Sequence, residues 1–191
     1  MSGKAYNPFS VYLKEKYGAK VYKITIDAGF DCPNRDGTIS SGGCIFCDAG
    51  GSFSQAHSNL LSVEDQINAG VASLSEKFKA KKFMSYLQAY TNTYKPVDEL
   101  KTIYDASLKH PDVIGISIGT RPDCVDEEKL DLIAGYVENY ETWVEYGLQS
   151  IHDRTLRFIN RGHDYKKFLE AYEKTKSRGI KVCAHVILGL P

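Results

Sequence analysis

The chain has 191 residues, enough for one domain with a hydrophobic core, and its 24 basic residues balance its 24 acidic residues. A net charge of zero disfavours a protein that holds nucleic acid through a uniformly positive surface. No run approaches the roughly 18 apolar residues of a membrane span, and the N-terminus lacks the apolar core of a secretory signal. We therefore expect a cytoplasmic protein without a membrane partner, in which the five cysteines are thiols or metal ligands rather than disulfides.

Residues 1–20 are predicted to form a basic N-terminal segment, and residues 21–191 a core in which strands and helices alternate. The predicted strands are Val21–Asp27, Phe83–Tyr90, Val113–Gly119, Thr142–Gln149 and Ile180–Leu188. The predicted helices run from about Ser62 to Lys81, Pro96 to Lys109, Asp126 to Glu138 and Asp153 to Arg178, the last broken near Gly162. This alternation predicts an α/β fold with parallel strands, outer helices and right-handed crossovers. A complete eight-stranded barrel needs about 250 residues, so we expect a partial (β/α) barrel that is truncated after its fifth strand.

The last three predicted strands each have an apolar face and a small or polar face. The apolar set is Ile114, Ile116, Ile118, Val144, Tyr146, Leu148, Val182, Val186 and Leu188. The small or polar set is Gly115, Ser117, Gly119, Glu145, Gly147, Gln149, Cys183 and His185. We expect the apolar face to pack on the helices, so that the polar face lines an internal cavity.

Cys32, Cys44 and Cys47 lie close together in the loop after the first strand. This loop is at the C-terminal edge of the strands, where α/β folds place their active sites. Three thiolates leave one metal position open for a ligand or a reaction. The pattern favours an iron–sulfur cluster, while a zinc site completed by His57 is the alternative. Cys124 and Cys183 lack partner spacing, and we expect them to be buried thiols.

The cysteine loop, with Phe46 directly before the third cysteine, resembles the radical S-adenosylmethionine (radical SAM) superfamily. The long first spacing, together with residues 23–38, resembles the branch that contains the catalytic subunit of Elongator and its smaller bacterial YhcC-type relatives. This resemblance implies that Cys32, Cys44 and Cys47 hold three irons of a [4Fe–4S] cluster, and that the fourth iron binds S-adenosyl-L-methionine. One electron would then generate a 5′-deoxyadenosyl radical that abstracts hydrogen from a substrate.

The resemblance also implies cofactor contacts, but it identifies no catalytic side chain. Phe46 is expected beside the adenine, Gln149 at the ribose or methionine part, and Arg161 at the carboxylate, where a guanidinium fork fits. His185 stands where relatives carry an aspartate that binds the ribose hydroxyls. The remaining candidates are Gln88, Thr91 and Asn92, whose neutral oxygens could accept hydrogen bonds from the cofactor's amino group, and Arg121, for cofactor or substrate.

Relatives in this branch modify wobble uridines of tRNA, so tRNA modification is the leading hypothesis for function. The implied partners are tRNA and a reductant protein such as flavodoxin or ferredoxin. A radical SAM enzyme acting on a small, porphyrin-like molecule is the second hypothesis. The alternative from another class is a non-catalytic, zinc-stabilised binding module.

Overall fold

The computed structural model describes residues 5–48, 50–51 and 61–191. The strands are β1 (Val21–Ile26), β2 (Lys82–Leu87), β3 (Val113–Thr120), β4 (Glu141–Gln149) and β5 (Lys181–Val186). The helices are α1 (Phe9–Tyr17), α2 (Val63–Phe78), α3 (Val97–Ser107), α4 (Glu127–Ala134), α5 (Asp153–Phe158) and α6 (Tyr165–Lys176), with a short 3₁₀ turn at Pro122–Cys124. Among the described residues no helix is both long and apolar enough to cross a membrane.

The five strands form one parallel sheet in the order β1-β2-β3-β4-β5. A helix separates each strand from the next, so sequential strands are neighbours and every connection is a crossover. The sheet is open rather than closed, which confirms the prediction of a partial (β/α) barrel.

Polar side chains at the helix starts set several of the helix boundaries. Ser62 accepts a hydrogen bond from the backbone N–H of Asp65 and so caps α2. Asp126 and Asp164 cap α4 and α6 in the same way. The predicted long helix after β4 is two helices, and Gly162 lies in the connection between them, so the expected break is confirmed.

One face of the sheet packs against α2, α3, α4 and α6 and forms the main core. This face contributes fully buried aliphatic and aromatic side chains, which stabilise the fold by removing apolar surface from water. The buried strand residues are Ile24, Ile26, Phe83, Leu87, Val113, Ile116, Ile118, Val144, Tyr146 and Leu148.

The opposite face of the sheet is closed at its N-terminal end by α1, a helix that the sequence did not predict. Leu13 of α1 is 2% exposed and packs with Val21 and Met84, while Ile114 and Trp143 border this second cluster. A register irregularity between β2 and β3 turns Ile114 away from the main core, so the prediction that it shares a face with the other β3 isoleucines is wrong.

The predicted apolar face of the last strand is also only partly correct. Val182 packs against the main core, but Val186 is 55% exposed and Leu188 is 91% exposed. A register shift places Val186 opposite Gln149, where it lines the cavity described below instead of facing the helices.

Candidate functional site

A cavity of about 340 Å³ lies at the C-terminal ends of the strands, within the size range of small-molecule sites. The cysteine loop forms one wall, and the ends of β2, β3, β4 and β5 form the others. Ten of the eleven predicted site residues line it: Cys32, Cys44, Phe46, Cys47, Gln88, Thr91, Arg121, Gln149, Arg161 and His185.

The cysteine loop is folded by short-range backbone hydrogen bonds. The N–H of Arg35 donates to the carbonyl of Cys32 at 2.8 Å, and the N–H of Cys47 donates to the carbonyl of Cys44 at 3.0 Å. Gly43 adopts a positive φ of 81°, and a Cβ there would lie 2.9 Å from the Arg35 side chain. All three cysteines of this loop line the cavity.

The corner between α5 and α6 holds this loop from outside. Asn160, with a positive φ of 53°, donates from Nδ2 to the carbonyl of Gly43 at 2.8 Å and to the hydroxyl of Ser40 at 2.9 Å. A Cβ at position 162 would be 2.7 Å from Asn34 Oδ1. Gly162 can therefore lie directly against the buried amide of Asn34. The corner therefore fits the loop closely and fixes its position relative to the sheet.

Cys44 receives two side-chain hydrogen bonds at its sulfur. Asn34 Nδ2 and Arg161 Nη1 each lie 3.4 Å from Cys44 Sγ. Arg161 also donates to the backbone carbonyl of Gly147 from Nε at 3.0 Å and from Nη2 at 2.5 Å. A side chain at Gly147 would bring its Cβ within 2.6 Å of Arg161 Nη2, so glycine is required for this approach. Arg161 thus joins the end of β4 to the cysteine loop.

Arg121 lines the cavity directly after β3 and is 2% exposed. It forms a bidentate ion pair with Asp123, with contacts of 2.9 and 2.7 Å, so Asp123 pairs with Arg121 whereas Asp126 is the residue that caps the next helix. Burial alone would lower the pKa of Arg121, but its pairing with Asp123 raises that pKa, so the guanidinium is charged.

Two buried polar atoms in the cavity wall have no hydrogen-bond partner within the described part of the chain. They are Nη1 of Arg121 and Oγ1 of Thr91, and both residues line the cavity. A buried polar group without a partner costs free energy unless something else satisfies it. Since both residues line the same cavity as the three cysteines, these atoms are candidates for hydrogen bonds with a polar ligand bound there.

Asn92 is the one predicted site residue that does not line the cavity. Asn92 is fully buried, and its Nδ2 donates to the backbone carbonyl of Gly119 at 2.8 Å. The backbone carbonyl of Asn92 accepts a hydrogen bond from the hydroxyl of Tyr104 at 2.6 Å. Its Oδ1 has no partner among the described residues. In this arrangement Asn92 joins the ends of β2 and β3, and its predicted contact with the cofactor stays a prediction.

The floor of the cavity contains a charged network on the inner face of the sheet. Glu145 is 5% exposed and contacts the amine of Lys23 and the hydroxyl of Ser117, while His185 Nε2 lies 2.7 Å from Glu145 Oε2. Burial would raise the pKa of Glu145, but the hydrogen bond with His185 and the charge of Lys23 lower it to about 2. The side chain of Cys183 and the contact with Glu145 raise the pKa of His185 to about 9.

Donor atoms of Glu145, Cys183 and His185 lie within 4.8 Å of one another, which is a spacing that a metal ion could bridge. However, Glu145 is already paired with Lys23 and with His185. A cation would have to compete with both of these positive charges. The geometry therefore describes an ion-pair network rather than an open metal site. Cys183 is half-buried beside it, so the prediction that Cys183 is a buried thiol is wrong. Cys124 is buried as expected.

The prediction of a zinc site completed by His57 lies outside the described residues. The structure also adds residues that sequence reasoning missed, namely Asn34, Asn160, Glu145 and Gly147. Glu145 and Gly147 carried a signal, since both belong to the predicted polar face. Asn34 and Asn160 carried none, because their partners are distant in the sequence.

Comparison with solved structures agrees with this architecture. The archaeal Elp3 of Methanocaldococcus infernus aligns with 90% of this chain and 38% of its own, with a TM-score of 0.58 and 20% sequence identity. At that identity the likeness shows the fold.

Similarity in sequence is closer. The protein YhcC of Escherichia coli K12 is 43% identical over 189 residues, which cover 98% of this chain and 60% of YhcC. Elongator complex protein 3 of Schizosaccharomyces pombe is 37% identical over 78 residues, or 41% of this chain and 14% of its own. The chain spans about three fifths of the length of the YhcC-type relatives that it matches. Residues 35–191 match the model of the radical SAM superfamily, and the chain belongs to that superfamily.

Proposed function

We propose that this chain is the core of a radical SAM enzyme that modifies a uridine of tRNA at the wobble position. The observation that carries the proposal is that the three cysteines line one cavity together with Arg121 and Thr91, whose buried polar atoms Nη1 and Oγ1 have no partner within the described chain. Membership of the superfamily supports a radical SAM enzyme over the non-catalytic zinc module. The superfamily generally uses a [4Fe–4S] cluster and S-adenosylmethionine.

Cys32, Cys44 and Cys47 would hold three irons of the cluster. When bound, the cluster and S-adenosylmethionine supply a primary carbon radical that no side chain could generate. The role of the chain is to position the cofactor and the substrate, to pair their charges and to exclude water from the cavity. The burial of Cys44, which is 6% exposed, and the close fit of the corner at residues 160–162 support the water-excluding role.

Arg121 is our proposed partner for the carboxylate of S-adenosylmethionine, in place of the predicted Arg161. Each guanidinium nitrogen of Arg161 already donates to Gly147 or Cys44. Arg121 instead keeps Nη1 without a partner in the described chain while its other edge is fixed by Asp123. Thr91 Oγ1 is a second polar atom of the same wall without a partner among the described residues. Phe46 lines the cavity and is half-buried, and it is our proposed contact for the adenine.

The charged floor is our proposed substrate side of the cavity. Lys23, Glu145 and His185 lie on the inner sheet face, and His185 is near the open rim, with 44% of its side chain exposed. Such a network can donate hydrogen bonds to carbonyl oxygens, which are the acceptors that a uracil ring presents. The uridine assignment itself rests on the resemblance of the cysteine loop to the Elongator branch, and the partial match to Elongator complex protein 3 supports it.

A low-potential protein such as flavodoxin or ferredoxin is the proposed electron donor. The test is anaerobic reconstitution with iron and sulfide, followed by electron paramagnetic resonance of the reduced protein with and without S-adenosylmethionine. A [4Fe–4S] signal that changes with S-adenosylmethionine, and that Cys44→Ala removes, is expected. Bound zinc without a cluster would overturn the proposal.

The substrate is tested by following 5′-deoxyadenosine after adding unmodified tRNA transcripts. We expect turnover with a transcript that carries uridine at the wobble position and none when cytidine replaces it. Equal turnover with both transcripts, or turnover only with a porphyrin-like molecule, would reject the tRNA assignment and leave the radical SAM chemistry intact. Because the chain matches about three fifths of the length of its relatives, a full-length relative run in parallel controls for the part of the relatives that the match does not cover.

A further inference from the structure

The three thiols of the cavity wall differ in their surroundings. Cys44 is buried, with 6% of its surface exposed, whereas Cys32 and Cys47 are half-buried. Burial disfavours added negative charge on a thiolate and on any cluster that it holds. Reduction of an iron–sulfur cluster adds such a charge. The buried position of Cys44 would therefore hinder reduction unless nearby groups stabilise the charge.

Two nitrogen donors are aimed at this sulfur from independent elements. Asn34 belongs to the cysteine loop and Arg161 to the corner after α5, and each nitrogen is 3.4 Å from Cys44 Sγ. The orientation of the Asn34 amide is defined, because its Nδ2 also donates to the backbone carbonyl of Asn160 at 2.6 Å. Only the amide nitrogen can donate to a carbonyl, so a hydrogen rather than Oδ1 faces the sulfur.

The donors are held rigidly as well as aimed. Asn34 is fully buried and Arg161 is 6% exposed. Arg161 is fixed by two hydrogen bonds to the carbonyl of Gly147, and the missing side chain at Gly147 makes room for them. Neither side chain can therefore turn toward solvent without losing other buried hydrogen bonds, which is costly.

We propose that Asn34 and Arg161 are positioning residues that make the cluster easier to reduce, by donating hydrogen bonds to Cys44 Sγ. This inference rests on the proposed function, since Cys44 must hold an iron. Hydrogen bonds to ligand sulfurs stabilise the more negative, reduced cluster and raise its reduction potential. The Arg161 bond is also assisted by charge, which strengthens it.

The main experiment is a redox titration of the reconstituted protein, followed by electron paramagnetic resonance. Asn34→Leu removes the donor and keeps the side-chain volume. We expect the reduced-to-oxidised ratio at a fixed potential to fall about tenfold, which is about 59 mV for a one-electron couple. Gln66→Leu is the matched control. Gln66 is also a fully buried amide, and its Nε2 holds the backbone carbonyl of Asp27 at 2.7 Å on the side of α2.

An unchanged midpoint in Asn34→Leu, or an equal shift in Gln66→Leu, would overturn the inference. If Asn34→Leu loads no cluster, Arg161→Lys provides the second test. It keeps the positive charge but loses the planar guanidinium that donates both to Cys44 Sγ and to the carbonyl of Gly147. Its midpoint should also become more negative. The wild-type protein gives a third readout, because exchange into D₂O should shift the iron–sulfur stretching bands in resonance Raman spectra. Absence of that shift would refute hydrogen bonding to the sulfur, whereas absence of any cluster would refute the proposed function instead.

Discussion

Replacing Glu141 with glutamine tests how α1 is attached to the sheet. Glu141 begins β4 and is 1% exposed, and its carboxylate accepts hydrogen bonds from five side chains. Three of these donors belong to α1, so the carboxylate joins this helix to the start of β4. The donors are Tyr12 (3.0 Å), Lys16 (2.6 Å), Tyr17 (2.8 Å), Trp143 (2.8 Å) and Lys181 (2.7 Å).

The expected loss of stability follows from the pKa of Glu141. Burial alone would raise this pKa, but the hydrogen bonds from Lys16 and Lys181 outweigh burial and lower it from 4.5 to about 2. At about 1.4 kcal/mol per pKa unit, the shift corresponds to roughly 3 kcal/mol. The side chains of Lys16 and Lys181 are 45% and 36% exposed, so water screens both ion pairs. We therefore expect Glu141→Gln to cost about 2 kcal/mol at pH 7.

Urea unfolding at several pH values measures this loss. A carboxyl group whose pKa is lower in the folded state stabilises the protein above its unfolded pKa, and that stabilisation disappears as the pH falls through the folded pKa. The difference between wild type and Glu141→Gln should thus be full above pH 4.5 and shrink as the pH approaches 2. Glu15→Gln, at an exposed position of the same helix, should change stability by less than about 0.5 kcal/mol. A loss for Glu141→Gln that does not depend on pH would refute the ion-pair explanation.

Other predictions concern strand packing and the floor of the cavity. Gly115→Ala should destabilise the protein by about 3 kcal/mol in urea, because its Cβ would lie 2.1 Å from a backbone carbonyl oxygen of β4. Tyr146→Phe removes a buried hydroxyl that lies 2.8 Å from a threonine hydroxyl of α6, and should cost about 1 kcal/mol in thermal unfolding. In NMR titrations His185 should titrate near pH 9, since contacts with Cys183 and Glu145 raise its pKa, and Glu145→Gln should lower that value. Protonated His185 should stabilise the folded protein fully below pH 6.5, and this stabilisation should be lost as the pH rises through 9. A pKa of His185 at or below 6.5 in the wild-type protein would contradict the prediction.

Periodicity in the sequence was sufficient to predict the sheet. All five strands, the parallel order and the break at Gly162 agree with the structure, because alternating and helical patterns directly reflect burial on one face. Helix α1 was not predicted, because its stability depends on distant partners. Its acceptor Glu141 is more than 120 residues away, and Trp143 packs edge-on against Phe9 from the same distant strand. The irregularity that turns Ile114 inward likewise has no signal in a two-residue alternation.

The cysteine ligands of the candidate site could be predicted from the sequence, but the residues that hold the cysteine loop in place could not. The thiols stand out by spacing, and the polar strand face by alternation. Asn34 and Asn160, by contrast, are ordinary turn residues in the sequence. Their importance comes from contacts across 126 residues, such as the bond between the Asn34 amide and the Asn160 carbonyl. Sequence reasoning also gave Arg161 one predicted partner, whereas its three nitrogens already have partners on the chain.

The two buried arginines of the cavity can be separated by experiment, because their partners differ. Arg121 has Nη1 without a partner in the described chain, so we expect it to bind the carboxylate of S-adenosylmethionine. A charged hydrogen bond contributes about 1.5–3 kcal/mol, so Arg121→Lys should weaken binding of S-adenosylmethionine to the reconstituted protein by about 10- to 100-fold.

Arg161→Lys should instead change that affinity by less than about threefold, while it lowers the midpoint potential of the cluster. Isothermal titration calorimetry and the redox titration measure the two effects on the same preparations, and a thermal melt checks that each variant is folded. If Arg161→Lys weakened cofactor binding as much as Arg121→Lys, the carboxylate would belong to Arg161, and its contact with Cys44 would be secondary. We expect Arg121→Lys to weaken cofactor binding and Arg161→Lys to lower the midpoint potential. That result would assign cofactor binding to the end of β3, and control of the cluster's potential to the corner that holds the cysteine loop.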